Sequence, residues 1–235
     1  MIKQNIVTFL FLTFFLTNVT AQDINQIDAK GERHGLWKKN FEGSDQPRYE
    51  GVFEHGREVG TFKFYKLVDG KSKLSATREF LPNSTKIQVK FYSSTGKLIS
   101  EGMMDDKLFI GKWTYYQNKT KGILSTEEYN DKGQLHGDKL VYYENGKLAE
   151  KSTYVNGEID GVSTWYSDNG TIVKEFTYKN GLLHGPSKYY NAKGQLLAEG
   201  SYKNDQKHGI WKYYENGKFT EEKDFTTYSK NPIKQ

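Results

Sequence analysis

Hydrophobic and polar residues alternate through most of this chain, and aromatic side chains fill many of the hydrophobic positions, as in "WTYY" (113–116) and "WKYY" (211–214). A period of two places successive side chains on opposite faces of a β-strand. The segment "ENGK" occurs twice, at 144–147 and 215–218, and Asn-Gly between apolar-rich runs is a strong hairpin signal. No helical periodicity appears in residues 22–235, so the pattern predicts an all-β protein.

The predicted hairpin recurs along the chain. Each copy reads G-x-W-x-Y-Y, a turn, G-x-L, a Glu, a Tyr and a second Asn-Gly corner. Seven copies have a marker glycine before the aromatic cluster: Gly35, Gly60, Gly111, Gly137, Gly161, Gly185 and Gly209, the last four 24 residues apart. A degenerate eighth copy lies at 86–102, with Ile87 in place of the glycine. Self-similarity at a fixed period indicates a repeat architecture, and we treat the marker glycines as structural.

The two faces of the predicted sheet differ in chemistry. In the first strand of a copy, positions two and four after the marker glycine share one face, as Trp113 and Tyr115 do, whereas Lys and Thr lie between them. Glu101 and Glu199 in second strands fall on the polar face. Sixteen strands exceed what an open single layer usually sustains without curling. We therefore predict an elongated, curled or twisted single-layer antiparallel sheet, and we expect no segment to cap its aromatic face.

The string HGxWxYYxNGKxxxExxYxNGxxHG resembles the MORN repeat, in the bacterial variant often labelled antitoxin-like. The resemblance covers about residues 31–228 and is best from Gly137 to Gly209. It implies stacked hairpins that act as a scaffold or a binding surface, and lipid binding is also attributed to such proteins. Cell-wall and glucan-binding repeats are similar in their aromatic residues and glycines, but they lack the Glu…Tyr…Asn-Gly second half.

The first 21 residues resemble a secretory signal peptide. A positive start, an apolar run at 6–16 and small residues at Val19 and Ala21 predict cleavage before Gln22. The run is about half the length that a membrane-spanning helix needs. We expect residues 1–21 to be a signal peptide, 22–30 a linker, 31–228 the repeat domain and 229–235 a disordered tail. The protein is then periplasmic or secreted, and an antitoxin-like role would need a partner in the cell envelope.

Composition excludes several classes of function. The net charge is +5 and Lys and Glu are interspersed, so the basic block typical of nucleic-acid binding is absent. The chain has no cysteine, which excludes disulfides and zinc–thiolate sites. Neither a G-x-S-x-G elbow nor a phosphate-binding loop or dinucleotide motif occurs. A periodic Glu ladder on an exposed face provides no pocket, so we expect neither an enzyme nor a cofactor.

Histidines recur just before the marker glycine, at 34, 136, 184 and 208. Neighbouring copies are two strands apart, about 10 Å, whereas zinc ligands lie about 2 Å from one ion. We expect these histidines to bond locally at corners and predict no metal site. His55 also precedes a glycine, but in another register that the repeat does not explain.

The aromatic stripe is the candidate ligand-binding feature of the sequence. Its members are Trp37, Trp113, Tyr115, Trp165, Trp211 and Tyr213. Aromatic pairs also stabilise a sheet by themselves. The first hypothesis is an exported scaffold that binds an unidentified protein. The alternatives are a module that stacks tryptophans on envelope glycans, and a lipid-surface binder by family resemblance.

Overall fold

A computed structural model describes residues 23–81 and 84–226. Strands are the only regular elements in these ranges, and helices are absent from them. The strands are β1 (Gln26–Ile27), β2 (Arg33–Asn40), β3 (Pro47–Glu54), β4 (Arg57–Val68), β5 (Lys71–Phe80), β6 (Lys86–Tyr92), β7 (Leu98–Asp105), β8 (Leu108–Tyr116), β9 (Ile123–Tyr129), β10 (Gly137–Tyr142), β11 (Leu148–Val155), β12 (Glu158–Ile159), β13 (Gly161–Tyr166), β14 (Ile172–Lys179), β15 (Leu182–Tyr190), β16 (Leu196–Lys203), β17 (Gln206–Glu215) and β18 (Lys218–Asp224).

The strands form one open antiparallel sheet in which long strands pair in chain order. The short β12 is bypassed, because β11 also pairs directly with β13. The eight predicted copies are the hairpins β2–β3, β4–β5, β6–β7, β8–β9, β10–β11, β13–β14, β15–β16 and β17–β18. The predicted fold is confirmed, including the degenerate copy at 86–102. The predicted signal peptide and the tail at 229–235 lie outside the described residues.

Two local features differ from the sequence expectation. The segment expected to be a linker contains β1, where Gln26 lies opposite His34, because the edge of β2 offers free backbone groups. The two "ENGK" turns also differ from each other. Asn216 and Gly217 both have positive φ (52° and 76°), but at 144–147 only Gly146 does (80°). Gly146 N–H donates to the carbonyl of Tyr143, which makes a longer hairpin loop.

The seven marker glycines all have positive φ, between 60° and 116°. Gly137 and Gly161 begin a strand, and the other five lie at the third or fourth residue of one. Residues with a Cβ rarely adopt this backbone conformation. The recurrence of glycine before the aromatic cluster is therefore a requirement of the positive φ at this position of each first strand.

Aromatic rings packed directly on glycines form the centre of the sheet. Trp113 lies on Gly102 of the preceding strand, and Trp211 lies on Gly200 in the same way. A Cβ at either glycine would be 2.4 Å from the nearest ring atom. Phe62 has the same relation to Gly51. These close approaches bury the three large rings within a single layer.

Candidate functional site

The inner face, defined here as the face of Trp113 and Trp211, is closed by its own strands. Both tryptophans are fully buried. Phe109 stacks on Trp113 with 3.8 Å between ring centroids, and Nζ of Lys207 is 4.1 Å from the centroid of Trp211. Each covering residue lies two positions before a marker glycine. The residues that cover these two rings come from the strand that carries each ring, and not from a separate segment.

The candidate aromatic residues are held by local partners. Nε1 of Trp113 donates to the carbonyl of Met103 (2.9 Å), and Nε1 of Trp211 donates to that of Ser201 (3.0 Å). Fully buried rings have no face free for a sugar. Trp37 and Trp165 are only partly buried.

The six candidates also do not converge on one site. They lie on β2, β8, β13 and β17, which are several strands apart. Tyr115 Oη is 3.5 Å from Tyr129 Oη, while Tyr213 accepts a hydrogen bond from Lys207 Nζ (3.0 Å). The structure distributes these side chains along the sheet instead of gathering them around one ligand.

A polar belt interrupts the inner face near its middle. Glu127 lies opposite Trp113 and forms an ion pair with Lys139 (3.4 Å), with side chains 14% and 28% exposed. Tyr129 donates to the other carboxylate oxygen of Glu127 at 2.6 Å. Burial, followed by this hydrogen bond, raises the pKa of Tyr129 well above its usual range. The sequence interpretation did not assign Glu127 to a face, although counting by two from Ser125, which is buried, indicates its inner position.

The outer face, which carries Glu101 and Glu199, has a recurring tyrosine–glutamate pair. The last tyrosine of an aromatic cluster donates to a glutamate 15 positions earlier, in Tyr65–Glu50 (2.7 Å), Tyr116–Glu101, Tyr190–Glu175 (2.6 Å) and Tyr214–Glu199 (2.8 Å). A register shift between Phe64 and Tyr65 turns the second aromatic outward. The period of two alone does not reveal this pairing.

Hydrogen bonding perturbs the ionisation of these pairs. Burial and the bond to Glu50 raise the pKa of Tyr65 to about 12. The bond to Glu101, followed by burial, raises the pKa of Tyr116 to about 12. The tyrosine bonds hold the pKa of Glu50 and of Glu101 below the ordinary value, and lysines at 3.2 and 3.3 Å contribute. The outer face is therefore ordered by charge-assisted bonds as well as by the backbone ladder.

Aliphatic side chains on the outer face are open to solvent. They are 40–54% exposed and comprise Val52, Ile99, Val162, Leu197 and Ile210. Ile99 and Leu197 each lie two residues before an outer-face glutamate, so they share that face. The sequence interpretation took the aromatic stripe as the candidate ligand-binding feature and missed this set.

One cluster has the composition of a metal site. Asp28, His34 and His55 each place a ligand-type atom within 4.8 Å of the others. The sequence analysis predicted no metal site, because it compared histidines at the same position in different copies. His34 and His55 occupy different positions of one copy, and Asp28 comes from the segment before it.

In the parts of the chain that the structure describes, no helix has the length and apolar character needed to cross a membrane. No curated protein matches the chain. The hairpins β10–β11, β13–β14 and β15–β16 lie within the region where the predicted resemblance is best. Three consecutive segments that cover these hairpins except for Leu182, residues 135–156, 159–180 and 183–204, match the family model of the MORN repeat variant.

Proposed function

We propose that this protein is a non-catalytic repeat scaffold that binds another protein through the outer face of its sheet. The observation that carries the proposal is the set of exposed aliphatic side chains on that face, in contrast to the closed inner face. Repeats of the MORN type at 135–156, 159–180 and 183–204 support a scaffold for binding.

The outer face has the mixed chemistry of a protein interface. Exposed Ile99 and Leu197 lie beside glutamates that are paired with tyrosines and, at Glu101, with Lys90. Protein interfaces combine apolar contacts with polar groups in this way. The tyrosine–glutamate bonds keep side chains ordered before a partner arrives, which lowers the entropy lost on binding.

Glycan binding is the second candidate. Sugar rings stack on free aromatic faces, but Trp113 and Trp211 are fully buried, and the indole N–H of Trp37 bonds to the carbonyl of Gln26. A lipid surface is the third candidate, and it calls for a cluster of unpaired basic residues. The net charge of +5 is mild, and Lys63, Lys90 and Lys151 are paired with carboxylates.

We also propose that the chain is exported, on the basis of residues 1–21 alone. Expression with a C-terminal tag, cell fractionation and N-terminal sequencing test this. Export predicts a periplasmic or secreted protein that begins at Gln22. A cytoplasmic protein with an intact N-terminus would refute export while leaving the scaffold proposal standing.

The scaffold proposal is tested by affinity capture with residues 22–235 against solubilised cell envelope. The variant is Ile99→Asp/Leu197→Asp. In each of the two hairpins, it changes the third residue after the turn glycine. Thr220→Asp is the matched control, because Thr220 occupies the same repeat position. We expect a discrete protein that the wild type and the control retain and the double variant loses, as judged by quantitative mass spectrometry.

Three outcomes would contradict the proposal. Equal retention by the double variant would exclude the outer aliphatic residues as the contact. Glycan alone on the wild-type column would favour the carbohydrate module. Retention only by vesicles of anionic lipid would favour the lipid-surface binder.

A further inference from the structure

The corner that precedes β4 contains a side-chain cluster that joins three separate parts of the chain. Oδ2 of Asp28 lies 2.7 Å from Nδ1 of His55, and the ring centroids of His34 and His55 are 4.8 Å apart. Asp28 belongs to the segment between β1 and β2, His34 to β2, and His55 to the turn between β3 and β4. These residues do not belong to the proposed protein-binding face.

Comparison with later copies shows what is unusual about His55. Nδ1 of His136 lies 3.4 Å from the backbone nitrogen of Asn156, and Nδ1 of His184 lies 3.3 Å from Oδ1 of Asn204. The corner asparagines have φ of 51° in both cases. His55 takes this place in the first copy, with φ of 47°. The backbone turn is kept, but an imidazole replaces the amide.

The carboxylate of Asp28 is oriented by its own segment. Its Oδ1 accepts the backbone N–H groups of Lys30 (2.8 Å) and Glu32 (2.9 Å), which leaves Oδ2 directed to His55. The pairing of β1 with β2 ties the same segment to the sheet.

His34 supplies an independent observation. Its Nδ1 is buried and has no hydrogen-bond partner within the described parts of the chain. Buried polar atoms without a partner are rare in native proteins, because desolvation is not offset. The equivalent nitrogens of His136 and His184 have asparagine partners, so this nitrogen is unsatisfied in the copy that carries the extra histidine.

We propose that Asp28, His34 and His55 bind a divalent transition-metal ion such as Zn²⁺. Two imidazoles and a carboxylate match the ligand preference of this class of ions, and three protein ligands leave positions for water. Ligands about 2.0–2.1 Å from a tetrahedral ion are roughly 3.3 Å from each other. The cluster, already within 4.8 Å, needs only a small closure, and the His55 side chain is 63% exposed and free to adjust.

A bound ion would take the place of the hydrogen bond between Asp28 and His55. It would then link the segment before β2 to the turn that leads into β4. Because the ion binds only the folded arrangement of three distant residues, it stabilises the N-terminal end of the sheet.

The test is calorimetric titration of the chelator-treated full chain with Zn²⁺, with Mg²⁺ as a hard-cation comparison. We expect one Zn²⁺ per chain and no heat from Mg²⁺. His55→Asn restores the corner residue of later copies and should keep the fold, as circular dichroism would verify. His55→Asn should weaken Zn²⁺ binding at least tenfold, because removing even a residue that only hydrogen-bonds to a ligand typically weakens metal binding by that much. His184→Asn removes a histidine elsewhere and should leave binding unchanged.

Thermal melting gives a second readout. Zn²⁺ should raise the melting temperature of the wild type and of His184→Asn, but not that of His55→Asn. No binding by the folded wild type would overturn the proposal. Equal binding by His55→Asn, or equal loss in His184→Asn, would show adventitious coordination by surface histidines and would overturn it as well.

Discussion

Gly102→Ala tests whether ring-on-glycine packing holds this single-layer sheet together. Gly102 does not have positive φ, so its backbone accepts alanine. The added Cβ would lie 2.4–2.6 Å from three atoms of the Trp113 ring. Favourable carbon–carbon contacts are about 3.5–4.0 Å, so the ring would have to move by about 1 Å. The bond from Nε1 to Met103 and the stacked Phe109 oppose that movement.

The expected cost follows from these contacts. Overpacking costs about 1–3 kcal/mol, and a weakened indole hydrogen bond adds about 0.5–1.5 kcal/mol. Alanine in a strand is more favourable than glycine by about 0.5–1 kcal/mol, which offsets part of this loss of stability. We expect a net loss of about 0.5–4 kcal/mol. For a domain of this size, each kcal/mol lowers the melting temperature by about 2–4 °C.

Urea denaturation followed by tryptophan fluorescence and by circular dichroism measures this loss. Both probes are needed because repeat arrays unfold in parts. Gly122→Ala is the control, since its Cβ would meet only side-chain atoms of Thr120 and Gln117, at 3.3 and 3.6 Å. The reasoning is refuted if Gly102→Ala is as stable as this control. It is also refuted if Gly102→Ala costs the same in a Trp113→Ala background, where the clash is gone.

Three further predictions concern a marker glycine and the outer face. Gly185→Val should lower the melting temperature more than Lys212→Glu, because Gly185 has φ of 113° and its Cβ would also approach Thr177 at 3.3 Å; equal melting temperatures would contradict this. The pKa values of Tyr65 and Tyr116 are raised from 10.0 to about 12 in the fold, so their contribution to stability is complete below pH 10.0 and is lost as the pH rises towards about 12. Phenolate absorbance reports tyrosine ionisation as the pH rises. This prediction is refuted if all the tyrosines ionise in one step near pH 10.0 and none ionises at higher pH before the protein unfolds. The pKa values of Glu50 and Glu101 are lowered from 4.5, so their contribution is present above pH 4.5 and is lost as the pH falls below it; Glu101→Gln should show a weaker acid dependence of the free energy of unfolding than the wild type.

Much of the fold could be predicted from local pattern. The marker glycines, the corners and the double aromatic recur with the repeat, and the eight hairpins follow from them. Even the degenerate copy at 86–102 was identifiable, because its aromatic pair and turn are retained. The turn type at 144–147 was not, since Asn-Gly permits two loop geometries and the same register shift precedes both the longer loop and the short turn at 215–218.

The candidate surfaces were harder to predict. The sequence indicated an aromatic face but not that Phe109 and Lys207 cover it. Outward tyrosines also depend on register shifts, which alternation does not encode. The inner position of Glu127 follows from the count along its own strand, but the sequence interpretation followed the repeat and did not assign this residue to a face.

The sequence by itself determined the number of hairpins, the places where the chain turns and the chemistry of most strand positions, because these depend on residues near one another in the chain. Only the tertiary structure decided which rings are closed off, where Lys139 meets Glu127, and that Asp28, His34 and His55 come together. Such contacts depend on strand register and on the path of each corner. Small shifts in either one move a side chain to the other face or away from its partner.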